Sequence, residues 1–229
     1  MAKPETYVAN FRKYADVVKK LCNGGHRLVV VCGGGVPARQ FQAIGRQFGA
    51  DRETLDRLGI VATDLNAYIF VAVLGEAAHK IVLKDSGDVK KVFGKYKNDK
   101  ESGESGKRII VCSGWVPLRS TDLDATMHAE AIGADLLINA TNVDGVYTAD
   151  PKKDPKAKRL PKLGYEKFRG IISAIPQTPG EYRLFDLKAI DILEKSKIKL
   201  VVIDGSDPEE ILRAAEGKHS GSVVCHQAD

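Results

Sequence analysis

Six short apolar runs, "HRLVVVC", "KIVL", "RIIVCS", "ADLLINA", "KIKLVVID" and "GSVVCH", are separated by segments long enough to cross over a sheet. Most of the spacers carry helical periodicity. Tyr7, Val8, Phe11, Tyr14, Ala15, Val18 and Leu21 fall on one helical face, and "NGG" at 23–25 stops that helix. "PARQFQAIGRQF" reads as a helix with Pro37 near its first turn, and "GIVATDLNAYIFVAVLGEAA" as a long, mostly buried one. Further helices are expected over "LDATMHAEAIG", "DLKAIDILEKS" and from Pro208 to Ala215. Strands alternating with crossover helices predict an α/β fold, doubly wound on a mainly parallel sheet. The chain opens with a helix, its first strand comes only at residue 26, and no internal repeat is visible.

At 229 residues the chain fits one large domain or two lobes that share a core. The longest unbroken apolar run, "AYIFVAVL", is far short of the roughly 18 residues of a membrane span, and the N-terminus has no secretory h-region. A protein of the cytoplasm with no membrane partner is therefore expected. Cys22, Cys32, Cys112 and Cys225 lie far apart and read as small core residues in a reducing compartment, with neither disulfide nor metal site. The net charge of +5 comes from Lys and Arg diluted by acidic residues. That favours a small anionic ligand, and without aromatics interleaved with Arg no nucleic-acid partner is expected. The polar stretch 84–107 reads as a solvated helix plus loop, and 151–163 as a Lys/Pro-rich excursion.

Three strand ends carry polar groups. In "VVVCGGGVPAR", Gly33, Gly34 and Gly35 let backbone N–H groups approach an anion at a helix N-terminus, and Arg39 adds a donor fork one turn inside. A tight turn with a solvated Arg is the plainer alternative, although three glycines exceed what a turn requires. In "SGWVPLRSTDLDA", Ser120, Thr121 and Asp122 precede a helix, where they either hold a second anion or simply cap it. Asp124 is expected in the first helical turn as a dipole partner, and His128 as an ordinary helix residue. In "ATNVDGVYTADP", Asp144-Gly145 turns the chain, Tyr147 offers a flat face and Asp150-Pro151 starts the next loop. Strand C-termini on one edge of a parallel sheet are where α/β folds bind ligands. Three such ends without a Ser-His-Asp order suggest phosphoryl transfer by positioning and charge neutralisation.

"VVCGGGVPAR", "LGIVATDLNA", "TNVDGVYTADPKKDP" and "PGEYRLFDLKAIDILEKSKIKLVVIDG", in that set and order, resemble the archaeal-type uridylate (UMP) kinases of the amino-acid kinase superfamily. The likeness runs from about residue 7 to the C-terminus. It implies a three-layer αβα sandwich with a mainly parallel central sheet, assembled as a homohexamer. It also implies transfer of the γ-phosphoryl group of ATP, with Mg²⁺, to UMP, giving UDP in pyrimidine nucleotide synthesis. An acceptor lobe would span residues 1–133 and an ATP lobe 134–229. The resemblance places Gly34 and Asp56 against UMP, with Gly35 and Arg39 reaching the transferred phosphate. Trp115, Val116, Pro117, Leu118, Arg119, Ser120 and Thr121 would form the acceptor loop. Thr141, Asn142, Tyr147 and Asp150 would hold the ATP base and ribose, and Asp122 matches the acidic residue that orients catalytic groups.

Two departures from the family pattern carry expectations of their own. Relatives usually read Pro-Gly, a small residue or His, then Thr-Thr-Asp, where this chain has Pro117-Leu118-Arg119-Ser120-Thr121-Asp122. Leu118 thus removes a glycine and Arg119 adds a cation, which bears on acceptor preference. Relatives also begin with a strand and a Gly-Gly-Ser-like loop for the ATP phosphates, and nothing of that kind precedes Tyr7, Lys3-Pro4 included. A start assigned too late is preferred over truncation or degeneration. The chain is expected to transfer phosphate poorly until about 15 upstream residues, one strand and its loop, are restored. Other readings are a superfamily phosphotransferase acting on a carboxylate, carbamate or isopentenyl phosphate, and a non-catalytic nucleotide-binding regulator.

Overall fold

The structure is a computed structural model that describes residues 4–96, 109–151, 153–174 and 184–226. Lys3, the loop expected over 97–107, Lys152 and residues 179–183 of the quoted motif lie outside them. The chain divides into two compact units, Met1–Ile132 and Gly133–Asp229.

The first unit runs α1 (Pro4–Asn23), β1 (Leu28–Val31), α2 (Gly35–Gln47), α3 (Arg52–Leu74), a 3-10 turn (Gly75–Ala77), α4 (Ser86–Lys95), β2 (Ile109–Cys112) and α5 (Thr121–Ile132). β1 and β2 pair in parallel, Leu28 opposite Ile109 and Val31 opposite Cys112. Side chains alternate along a strand, so the two faces collect different partners. Leu28, Val30, Ile109 and Val111 meet Ala15 and Val18 of α1 and Ala67, Phe70 and Leu74 of α3. Val29, Val31, Ile110 and Cys112 meet Val89 of α4 and Ile132 of α5. Helices thus cover both faces of this sheet, which explains why "IIVC" is apolar at every position. Burial of Ile109 or Ile110, both fully enclosed, contributes about 2 kcal/mol each. Carboxylates start the helices: Asp51 accepts the Thr54 N–H at 2.8 Å, and Asp85 those of Gly87 at 2.8 Å and Asp88 at 3.1 Å. Each such cap contributes about 1 kcal/mol.

The second unit continues with β3 (Leu136–Thr141), β4 (Val146–Tyr147), β5 (Arg159–Leu160), β6 (Lys162–Leu163), α6 (Tyr165–Ala174), α7 (Leu187–Ser196), β7 (Lys199–Asp204), α8 (Glu209–Ala215) and β8 (Ser222–Val224). Its main sheet has the order β3-β7-β8-β6. β3 runs parallel to β7, bringing Thr141 opposite Asp204, and β6 runs parallel to β8. One face, with Leu136, Ile138, Val201, Ile203 and Val223, packs on Ile211 and Ala214 of α8. Leu200 and Val202, pointing the other way, are fully buried as well.

The mainly parallel α/β reading holds, with local corrections. "KIVL" forms no continuous strand: Ala78 and Leu83 make isolated parallel bridges to Ile109 and Cys112. The final strand is antiparallel to β7. The 151–163 excursion contains β5 and β6, two-residue strands that leave no periodic signal, and the ten-residue α6 follows it unanticipated. The polar segment from Lys84 is not wholly solvated, since α4 buries Val89.

The largest correction concerns α3, expected to be mostly buried. Val61, Leu65, Tyr68 and Ile69 stay exposed on it, as do Phe41, Ile44 and Phe48 on or beside α2, against which α3 packs. Residues Arg52–Ala77 are long and apolar enough, on average, to cross a membrane, although no unbroken apolar run is. Thr63, Asp64 and Asn66 nevertheless spend their polar groups on bonds to loops of the same unit.

Candidate functional site

Because β1 and β2 are parallel, the chain leaves both at the same edge. Gly33, Gly34 and Gly35 follow β1, and Ser113 to Ser120 follow β2. Gly34 is the N-cap of α2, and Gly35 holds φ +57°, a conformation that favours glycine. A Cβ on Gly34 would lie 2.5 Å from Ala38 Cβ and 3.2 Å from the Gly59 carbonyl oxygen. The absence of a side chain there lets α2 and α3 approach. Arg39 stands exposed in the first helical turns of α2.

Three polar residues on one stretch of α3 fasten these loops. Asn66 Nδ2 donates to the Gly33 carbonyl at 2.7 Å. Thr63 Oγ1 accepts the Gly114 N–H at 2.9 Å while donating to the Ile60 carbonyl at 2.7 Å. Asp64 accepts from Ser113 Oγ at 2.5 Å and pairs with Lys84 Nζ at 2.7 Å. Sequence reasoning quoted "LGIVATDLNA" as a whole and gave these three no role. The available signal was three polar residues within four positions of the otherwise apolar stretch 58–74 of that helix.

The 115–121 loop is fixed at several points. Asp56, on α3, accepts the Leu118 N–H at 3.1 Å. Leu118 has φ +65° and is exposed, so this side chain sits in the backbone conformation that a glycine adopts at no cost. Arg119 N–H donates to the Val116 carbonyl at 3.3 Å, turning the chain around half-buried Pro117. The Ser120 hydroxyl accepts the Leu123 N–H at 3.2 Å and so caps α5, whose first residue is Thr121. Asp122 follows in the first turn, half-buried, with its carbonyl accepting Thr126 Oγ1 at 2.8 Å. Trp115 and Val116 are exposed.

Asp124 stands in the first turn of α5 and His128 further along the same helix, as expected, and each makes contacts beyond it. The Asp124 carboxylate is buried and meets the Trp115 N–H and the Arg119 guanidinium, each at 3.4 Å. His128 is buried against α4, with Nδ1 2.9 Å from Ser86 Oγ. Burial, opposed by the charge of Asp85, pushes its imidazolium down to a pKa of about 4.

In the second unit, Thr141 ends β3 and its carbonyl accepts the Gly205 N–H at 2.6 Å. Asn142 is exposed, with its Oδ1 3.5 Å from Thr141 Oγ1. The Asp144-Gly145 turn presses on β8: a Cβ on Gly145 would fall 2.5 Å from Ser222 Oγ, which also accepts the Val146 N–H at 2.8 Å. Tyr147, half-buried on β4, donates its hydroxyl to Asp144 at 2.8 Å, and that bond raises its pKa. Asp150 opens the next turn, its carbonyl accepting the N–H groups of Lys153 and Asp154.

All four cysteines are free thiols, Cys22 and Cys112 buried. Burial pushes the Cys32 thiol up to about 12, so it stays protonated at neutral pH. Among the described residues no group of three or more His, Cys, Asp or Glu is placed to hold a metal.

Two parallel strand ends carrying a glycine loop and a capped polar loop define an α/β ligand-binding protein, and comparison with known proteins gives the family. The Amino acid kinase family profile matches residues 1–204, and the chain belongs to that family. Within it, the chain is 39% identical over 219 residues to the uridylate kinase of Methanoculleus marisnigri, covering 95% of this chain and 88% of that one. It is also 39% identical over 213 residues to the uridylate kinase of Hyperthermus butylicus, covering 93% and 89%. The crystal structure of uridylate kinase from Archaeoglobus fulgidus superposes with a TM-score of 0.80 at 35% identity, covering 95% of this chain and 93% of that one. The αβα kinase fold expected from the motifs is the fold observed.

Proposed function

We propose that this chain is a UMP kinase that transfers the γ-phosphoryl group of ATP to UMP, giving UDP and ADP for pyrimidine nucleotide synthesis. The observation that carries the reading is the pair of loops leaving the parallel β1 and β2 at one edge, fastened to each other through α3. Family membership and the archaeal relatives supply the substrates.

In this reading the first unit, with the acceptor lobe drawn at 1–133, takes UMP. Gly34, Asp56 and the loop Trp115–Thr121 hold the nucleotide, and Gly35 and Arg39 face the transferred phosphate with N–H groups and a guanidinium fork. Asp122, at the start of α5, orients the groups around the reacting phosphate. The second unit, 134–229, takes ATP through Thr141, Asn142, Tyr147 and Asp150. In such chemistry the acceptor's own phosphate oxygen is the nucleophile, and the protein supplies positioned donors.

Mg²⁺ neutralises phosphate charge when bound. With no carboxylate cage among the described residues, an ion carried in on the ATP phosphates fits better than one held by the protein alone. Arg39, exposed at the head of α2, is placed to share that charge.

The reading includes a homohexamer in the cytoplasm. Exposed Phe41, Ile44, Phe48, Leu65 and Tyr68 on the packed pair α2 and α3 support self-association, because such a surface is costly to leave in water. The free thiols suit a reducing compartment. Product chromatography tests the activity: UDP and ADP should form in equal amounts from UMP and ATP, and ADP without UDP would refute it.

A further inference from the structure

We propose that Asp124 is a positioning residue that locks the 115–119 loop through Trp115 and Arg119, and so sets how well the acceptor is held. The proposal rests on the reading of this loop as the acceptor site.

Asp124 is 2% exposed, and a carboxylate taken that far out of water needs partners. Two of them belong to the loop. Oδ2 accepts the backbone N–H of Trp115, the loop's first residue, at 3.4 Å. Oδ1 lies 3.4 Å from Nη1 of Arg119, the loop's cation, whose side chain is only 25% exposed. The Arg119 guanidinium carbon also stands 5.5 Å from the centroid of the Trp115 ring. One carboxylate therefore grips the start of the loop and, through the guanidinium, the indole above it. From the opposite side Asp56 holds Leu118 N–H at 3.1 Å.

The two carboxylates divide the work. Asp56 is half-buried and within reach of a ligand, whereas Asp124 is enclosed and acts only through the residues that it holds. Arg119 is consequently parked against the indole and does not swing in solvent, so a bound phosphate meets a cation whose position is already fixed. Preorganisation of this kind lowers the cost of ordering the loop on binding. It also gives a physical reason for Arg119 and Asp124 to occur together, five positions apart.

Asp124→Asn keeps the shape and one acceptor oxygen but removes the charge. Trp115 is the sole tryptophan, so its fluorescence reports the loop directly. The variant should show clearly stronger acrylamide quenching of Trp115. It should also raise KM for UMP about tenfold, the scale of a lost charge-assisted contact, with a much smaller change in kcat and in KM for ATP. Arg119→Gln breaks the same pair from the loop side and serves if Asp124→Asn does not fold; Arg119→Lys should recover part of both effects. Unchanged quenching in Asp124→Asn and in Arg119→Gln would overturn the proposal. Stronger quenching with unchanged KM for UMP would overturn the role in acceptor binding by showing that the locked loop is not the acceptor site, whereas a preference of the unmodified protein for another acceptor over UMP would remove the functional reading itself.

Discussion

Asp56 Oδ2 accepts the backbone N–H of Leu118 at 3.1 Å, joining α3 to a loop 62 residues further along the chain. The bond holds Leu118 at φ +65°, where a leucine costs about 1 kcal/mol more than a glycine. Leu118→Gly should therefore leave the melting temperature within a few degrees, because relief of strain offsets the greater freedom of the unfolded glycine. It should raise KM for UMP several-fold by loosening the loop. Thermal melts and steady-state kinetics on one preparation check both, and a lower KM would show that the strained leucine obstructs the acceptor.

Gly34→Ala should be costly for a different reason. The new Cβ would lie 2.5 Å from Ala38 Cβ within α2 and 3.2 Å from the Gly59 oxygen of α3, so the start of α2 would have to shift. A loss of about 1–3 kcal/mol is expected, as for overpacked cores, together with weaker UMP binding. Gly33→Ala is the control, since nothing lies within 4 Å of its added Cβ. Denaturant titrations should separate the two variants; equal losses would mean that close approach is not what Gly34 provides.

His128 makes stability depend on pH. Its folded pKa is pushed from 6.5 to about 4, mainly by burial, so the folded chain binds fewer protons than the unfolded chain between those values. Stability is then complete above pH 6.5 and falls as the pH drops toward 4, by an amount on the order of 3 kcal/mol. His128→Asn, whose amide can still meet Ser86, should flatten this part of the profile. Melting curves between pH 4 and 7 measure it, and an unchanged slope in the variant would assign the dependence to other groups.

Much of the fold was legible because the signals were periodic. The apolar runs that became β1, β2, β3 and β7 and the capped helices could be read from local pattern alone. What escaped depends on partners distant in sequence. α3 reads as buried because its residues are apolar, yet Val61, Leu65 and Tyr68 face outward. Thr63, Asp64 and Asn66 gain their roles only when the loops after β1 and β2 arrive beside them. Asp124 illustrates the same limit at the site: a helix-start position suggests a dipole partner, and only the folded loop reveals the Trp115 and Arg119 contacts. The motifs carried the family, whereas the binding roles of Asp56, Arg39, Tyr147 and their neighbours stand as proposals.

The central claim is that UMP is the acceptor. Its most direct test is ADP release by the purified protein with ATP and Mg²⁺, compared as kcat/KM for UMP, acetylglutamate, carbamate and isopentenyl phosphate. UMP should exceed each of the others by at least about a hundredfold, the scale of nearly 3 kcal/mol of differential transition-state binding. A higher kcat/KM for any of the other three would contradict the account.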